Sequence, residues 1–187
     1  MKYFENRIDM VMELVPVNGI YGEIGVFKGE FSKELCKLNP TKLCLFDLFE
    51  GNCGSGDVDG NNFTNTNMNT SYNNLKNWKE YESVIELYKG DSSTQLSTFS
   101  DNYFDMLYID GDHSYQGCKK DLLVAMRKVK KNGSSWIMGH DYEMNMEKAK
   151  TNYSFGVKQA VDELCNEFNL SIYAKGMDGC VSYAIQL

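Results

Sequence analysis

Short apolar runs alternate with segments of helical period along nearly the whole chain, and this alternation constrains the fold more than any other feature. "GIYGEIGV" reads as a strand running into glycines, and "GEFSKELCKL" as the helix after it. "KLCLFDLFEG", "SVIELYKGD", "FDMLYIDGD" and "SSWIMGHDY" repeat the theme, each a strand that closes in an acid. Between them, "NLKNWKEY", a short stretch at 92–99 and "CKKDLLVAMRKVKKNG" take the helical period, and "FGVKQAVDELCNEF" follows the fifth strand. Residues 4–15 set Phe4, Ile8, Val11, Met12 and Val15 at helical spacing, which predicts a first amphipathic helix. "LSIYAKG" and "CVSYAIQL" are two last strands joined by a Met-Asp-Gly turn, hence antiparallel to each other. Strands that are apolar throughout are buried on both faces, the mark of a parallel sheet covered by helices. The expectation is one α/β domain over 1–187: a doubly wound, mostly parallel, seven-stranded sheet with an antiparallel C-terminal hairpin strand and helices on both faces.

Composition removes several functional classes. Nineteen basic against 26 acidic residues give a net charge of −7, which argues against a general binder of nucleic-acid backbones. The run Lys128, Lys130, Lys131 reads as the solvated end of a helix. No apolar run approaches the roughly 20 residues that span a bilayer, and the acids within "MKYFENRIDMVMELV" do not suit a signal peptide. The six cysteines form no CxxC pair and mostly lie in apolar segments, so they read as reduced, packed thiols of a cytoplasmic protein. With no cysteine pair spaced against His113 or His140, a zinc site is not expected.

In an open parallel sheet, ligands bind at the carboxyl ends of the strands. The first such end carries Glu23, Gly25, Phe27, Lys28 and Gly29, whose glycines permit a tight turn and close approach of a ligand to the backbone. The next four carry Asp47; Gly90, Asp91 and Ser92; Asp110, Asp112 and His113; and Gly139, His140, Asp141 and Tyr142. One acid at a strand end is commonplace. Acids at all five describe a single acidic cleft. Residues 51–77, rich in Asn, Gly and Thr, are too long for an ordinary connection and read as a lid or substrate loop over it.

The ordered set "YGEIGVFKGEFS", "LFDLFEG", "YKGDS", "YIDGDHSYQGCKKDL" and "IMGHDY…GVKQAVDEL" resembles class I S-adenosylmethionine-dependent methyltransferases, which are Rossmann-like. More narrowly it resembles the macrocin O-methyltransferase-like branch, which methylates sugar hydroxyls with help from a divalent metal. The resemblance runs from about Tyr21 to the C-terminus, and "IDGDHSY" with "GHDY" is its most specific part. It implies that Glu23, Gly25, Phe27, Lys28 and Gly29 line the methionine end of the cofactor, that Asp47 takes the ribose hydroxyls, and that Asp91 and Ser92 lie beside the adenine, with Asp110 bordering the cofactor as well. It also implies that Asp110 and Asp141 hold Mg²⁺ or Mn²⁺. Relatives often carry two acids on the fifth strand; here the first is His140, whose imidazole suits Mn²⁺ or Fe²⁺ better than Mg²⁺.

The chemistry explains the charges. A sugar hydroxyl is a poor nucleophile, and a bound dication polarises it while a base takes its proton. Asp112 and His113 are both placed to be that base; His113 has the more suitable unperturbed pKa. Phe27, Phe49, Phe63, Tyr72, Tyr115 and Tyr142 lie near enough in sequence to stack on a sugar, whereas Trp78 and Trp136 read as core. The expected partner is a sugar or glycan acceptor, a deoxysugar such as rhamnose included, with neither nucleic acid nor membrane. Two other readings compete: the same cofactor with a phenolic or catechol acceptor, and a Rossmann-like binding module without catalysis. Against the phenolic reading, His113 stands where a lysine base is expected behind the aspartate.

Overall fold

The computed structural model describes residues 1–50, 65–143, 155–177 and 179–187. The elements in chain order are β1 (Lys2–Phe4), α1 (Arg7–Leu14), β2 (Ile20–Ile24), α2 (Glu30–Cys36), β3 (Lys42–Asp47), α3 (Asn65–Lys76), a 3₁₀ turn (Lys79–Tyr81), β4 (Ile85–Lys89), α4 (Ser92–Ser97), β5 (Met106–Ile109), α5 (Tyr115–Lys128), β6 (Trp136–Glu143), α6 (Val157–Phe168), β7 (Ile172–Gly176) and β8 (Val181–Gln186). They form one sheet in the order β1-β7-β8-β6-β5-β2-β3-β4. β2 to β6 pair in parallel, and β8 lies antiparallel between β6 and β7. The doubly wound fold expected from the sequence is present.

Side chains alternate across the pleat, so each strand feeds two cores. Leu107, Ile109, Ile137 and Tyr183 meet Leu96 of α4, Cys118 and Leu122 of α5, and Val161 and Leu164 of α6. Met106, Tyr108, Met138 and Ala184 meet Met10 and Val11 of α1 and Phe31 and Leu35 of α2. Burial on both faces is why these strands are apolar throughout.

Four expectations need correction. The sheet has eight strands, because Lys2–Phe4 pairs in parallel with Ala174–Gly176 at the edge. The first helix therefore begins at Arg7, capped by the Asn6 side chain, and Phe4 is not helical. The stretch 51–77 is not loop throughout: α3 occupies Asn65–Lys76 and buries Met68 and Leu75, while 51–64 and the lid assigned there, Phe63 and Cys53 included, lie outside the described residues. Nor is the lysine run solvated throughout, although Lys131 is exposed. Lys128 is 4% exposed and its ammonium donates to the Phe99 carbonyl and Asp101, while Lys130 pairs with Asp105. Cys36, Cys44 and Cys118 are buried thiols, as read, Cys165 and Cys180 are half-buried, and none of these five is in a disulfide. Among the described residues no helix is long and apolar enough to cross a membrane.

Candidate active site

Chain order reverses between β2 and β5, and the crevice of an open α/β sheet forms at that switch point. Gly25 follows β2 with φ +83°, and a Cβ there would lie 2.0 Å from the Asp110 carbonyl oxygen, so only glycine lets the two strand ends close up. The turn continues through Phe27 and Gly29, both in the left-handed region (φ 50° and 77°). A bulky residue there is strained. Asp47 holds it in place: Oδ2 accepts the amides of Val26 (2.8 Å) and Phe27 (3.0 Å), and Oδ1 that of Phe49 (2.7 Å). The expected ribose ligand is thus also the clamp of the glycine turn.

Glu23 is buried on the α2 side, where its Oε2 accepts from the Ser32 hydroxyl at 2.5 Å. Burial pushes its carboxyl up to about 8, with the nearby charges of Asp110 and Asp47 adding to the effect, and Ser32 and Arg7 opposing it. At neutral pH it is largely protonated.

The end of β4 carries a capping duty. Asp91 is the N-cap of α4: Oδ1 accepts from the Thr94 amide (2.8 Å), the Thr94 hydroxyl (2.6 Å) and the Ser93 hydroxyl (2.8 Å), and both oxygens meet Lys120. These bonds hold its carboxyl well below the usual carboxylate range. Ser92 donates to Asp121 of α5 at 2.6 Å. Asp112 is exposed, and its Oδ1 accepts the Ser114 amide at 2.8 Å ahead of α5, which Ser114 caps.

The other strand-end acids converge. His113 Nε2 lies 3.1 Å from Asp141 Oδ2 and 3.4 Å from Asp110 Oδ1; His140 Nδ1 lies 3.3 Å from Asp141 Oδ2 and 3.8 Å from Asp110 Oδ1. β6 makes this possible by slipping register against β8 between Gly139 and Glu143, with Asp141 at φ 57°. Such bulges re-aim side chains beside active sites. Asp110, His140 and Asp141 can bring one ligand atom each within 4.8 Å of one another. Ligands about 2.1 Å from one ion stand about 3.0–3.4 Å apart in octahedral or tetrahedral geometry; His140 Nδ1 meets that spacing to Asp141 Oδ2 at 3.3 Å and exceeds it to Asp110 Oδ1 at 3.8 Å, so the donor types suit a dication while the spacing is wider than a bound ion would set. Burial alone lowers the pKa of both imidazoles, but for His113 the bond to Asp110 and the charges of Asp141, Asp110 and Asp112 outweigh it; for His140 the bond to Asp141 does so with the same two neighbouring acids. Both are raised. Asp141 is lowered despite burial, chiefly by His140 and then His113.

Arg7, which sequence reasoning missed, completes the cluster. Its guanidinium lies 3.2 Å from Asp110 Oδ2 and 4.9 Å from the centre of the Phe31 ring. Nothing local signals this contact across 103 residues of sequence. His113 stacks on Phe155 with ring centres 5.4 Å apart. Of the other aromatics, Tyr142 is buried and donates to Asp162, and Tyr115 donates to Glu163. Phe49 packs on Tyr72, and Lys28 sits over Phe27. Trp136 is core as expected; Trp78 is half-buried beneath Lys33.

A family model described as a methyltransferase domain matches residues 23–142, which contain all of these strand ends. No curated protein matches the sequence. Solved structures share the fold at low identity. The M1A22 tRNA methyltransferase TrmK of B. subtilis superposes with TM-score 0.61 at 12% identity, over 98% of this chain and 65% of its own. A SAM-dependent methyltransferase from Aquifex aeolicus gives 0.61 at 11%, over 97% and 90%. An O-methyltransferase family protein from Burkholderia thailandensis gives 0.63 at 9%, over 96% and 54%. The chain thus spans under two thirds of the first and third of these proteins.

Proposed function

The chain belongs to the methyltransferase domain family, an S-adenosylmethionine-dependent enzyme by family and fold, and from that premise we propose that it is a metal-assisted O-methyltransferase of the macrocin-like branch acting on a hydroxyl of a sugar or glycan. The observation that carries the reading is the convergence of Asp110, His113, His140 and Asp141 at the carboxyl ends of β5 and β6.

Asp110, His140 and Asp141 hold the dication in this reading, and Glu23 and the Gly25–Gly29 turn take the methionine end of the cofactor. The bound ion supplies Lewis acidity to the acceptor hydroxyl, and S-adenosylmethionine supplies the methyl group. His113 is the base, because its Nε2 faces both carboxylates while Asp112 turns away to the start of α5. The carboxylates raise its basicity and fix the ring, and Phe155 stacks on one face of it. His113 would take the hydroxyl proton on a ring nitrogen not held by the carboxylates, and the cofactor, when bound, would supply the methyl group and leave as S-adenosylhomocysteine; alignment of hydroxyl and base would contribute much of the rate.

The test is methyl transfer from labelled S-adenosylmethionine to a panel of nucleotide sugars and deoxysugar oligosaccharides, with catechols and RNA alongside. Transfer to a sugar hydroxyl that chelation abolishes and Mn²⁺ or Mg²⁺ restores, and that His113→Ala lowers by ~10²–10⁴-fold, is the expected result. Transfer only to phenols or RNA, or transfer indifferent to chelation, overturns it.

A further inference from the structure

Phe155 and Gly156 open the last helical stretch, beyond residues 23–142, which the family model matches. Both lie against the residues that carry the base. The Phe155 ring stacks on the His113 imidazole with centres 5.4 Å and planes 20° apart. Gly156, the N-cap of α6, donates its amide to the His113 carbonyl at 2.8 Å. A Cβ on Gly156 would stand 2.3 Å from the Tyr115 amide nitrogen and 2.4 Å from its Cα, so only glycine lets the starts of α5 and α6 close up.

Packing behind this contact keeps it in place. α6 buries Val157, Ala160, Val161 and Leu164, and Glu163 accepts from the Tyr115 hydroxyl and the Lys119 ammonium of α5, both at 2.6 Å. The carboxylates of the cluster leave the imidazole one freedom that Phe155 removes. They meet the ring at Nε2, 3.1 Å from Asp141 and 3.4 Å from Asp110. In an imidazole Nε2 lies close to the Cβ–Cγ axis, so a contact there does little to fix rotation about χ2, a torsion with broad wells. The same rotation swings Nδ1 through space. A flat ring against the face of the imidazole opposes it.

Resting on His113 as the base, we propose that Phe155 is a positioning residue for the methyl transfer and that Gly156 is the pin that seats it. The Phe155 ring keeps the imidazole in one rotation, so the nitrogen not held by the carboxylates keeps a single line to the acceptor hydroxyl. A functional group is held in productive geometry when packing locks its rotamer, and a small misplacement costs rate steeply. Phe155 acts on turnover through His113 and leaves acceptor binding alone.

The experiment is steady-state methyl transfer by the whole protein to the sugar acceptor chosen by the transfer panel, with ¹³C relaxation of the histidine rings alongside. Phe155→Leu should lower kcat by ~10–100-fold with KM nearly unchanged, and Phe155→Tyr, which keeps a flat ring, should turn over as wild type does. In a His113→Ala background, Phe155→Leu should take nothing further, because its effect runs through the imidazole. The relaxation measurement needs no acceptor: without added metal, the His113 ring should be ordered in the wild type and lose order in Phe155→Leu and in Gly156→Ala. Thermal unfolding checks that each variant is folded, and Phe155→Leu alone decides the matter if Gly156→Ala does not fold. Undiminished turnover in Phe155→Leu, an equal loss with and without His113, or an unchanged ring order overturns the positioning role while leaving His113 as the base. Full turnover in His113→Ala overturns the base reading and this proposal with it.

Discussion

Arg7 and Asp110, 103 residues apart, meet at 3.2 Å across the mouth of the crevice, with Arg7 on Oδ2 and the two histidines facing Oδ1. The carboxylate is thereby split, one oxygen held by the guanidinium and the other presented to the cluster. Partners of this kind orient metal ligands and tune their affinity. Arg7→Ala should weaken Mn²⁺ binding by ~10–100-fold, as read by titration calorimetry, and Arg7→Lys should recover only part because it lacks the planar fork. Undiminished affinity in Arg7→Ala would show that Asp110 needs no such support.

His140 should set which metal is used. Imidazole favours Mn²⁺, Fe²⁺ or Zn²⁺ over Mg²⁺, and a carboxylate reverses that bias. Wild type should therefore bind Mn²⁺ more tightly than Mg²⁺ by on the order of tenfold or more, and His140→Glu should narrow the gap by improving Mg²⁺ binding. A gap that stays the same in the variant means that His140 is not a ligand.

Asp47 carries a structural duty as well as the proposed ribose contact. Its loss frees three backbone amides of two turns. At about 1 kcal/mol or somewhat more per bond, Asp47→Ala should cost roughly 3 kcal/mol and lower the melting temperature by about 6–12 °C, at some 2–4 °C per kcal/mol for a chain of this size. Differential scanning calorimetry without ligand measures it. A melting temperature within 2 °C or so of wild type would leave the clamp without energetic weight.

Glu23 predicts a proton count. Its folded pKa, about 8, stands above the ordinary glutamate value, so the folded chain keeps a proton that the unfolded chain has already lost. Stability therefore falls as pH rises from the ordinary glutamate range to about 8, and Glu23→Gln should gain on wild type across that window. A cofactor ammonium placed beside Glu23 pulls the pKa back down and releases a proton on binding near pH 7. Titrations in buffers of different ionisation enthalpy should show that release in wild type and not in Glu23→Gln. Equal proton counts would place the ammonium elsewhere.

Much of this was legible because it is local. Apolar runs closing in Asp47, Asp91, Asp110 and Asp141 marked the strand ends, and parallel pairing sends those ends to one edge. Two further features also had local signals. "DSST" is an N-cap pattern that claims Asp91 for α4, and Met68, Tyr72 and Leu75 carry the helical period of α3 inside a polar stretch. β1 had none, since three residues become a strand only by pairing with Ala174–Gly176 at the far end of the chain.

The sequence by itself determined the doubly wound sheet and the acids at its edge, because hydrophobic period and glycine turns act over a few residues. Only the tertiary structure decided which of those acids work together. Asp110, His113, His140 and Asp141 meet because β5 and β6 lie side by side and β6 bulges at Asp141. Asp91 and Asp112 each also accept a helix-start amide, at the beginnings of α4 and α5. Arg7 enters because packing brings the start of α1 to Asp110 from 103 residues away in the chain. Hydrogen bonds and ion pairs depend on distance in space, and a linear chain does not record that distance until its layers have packed.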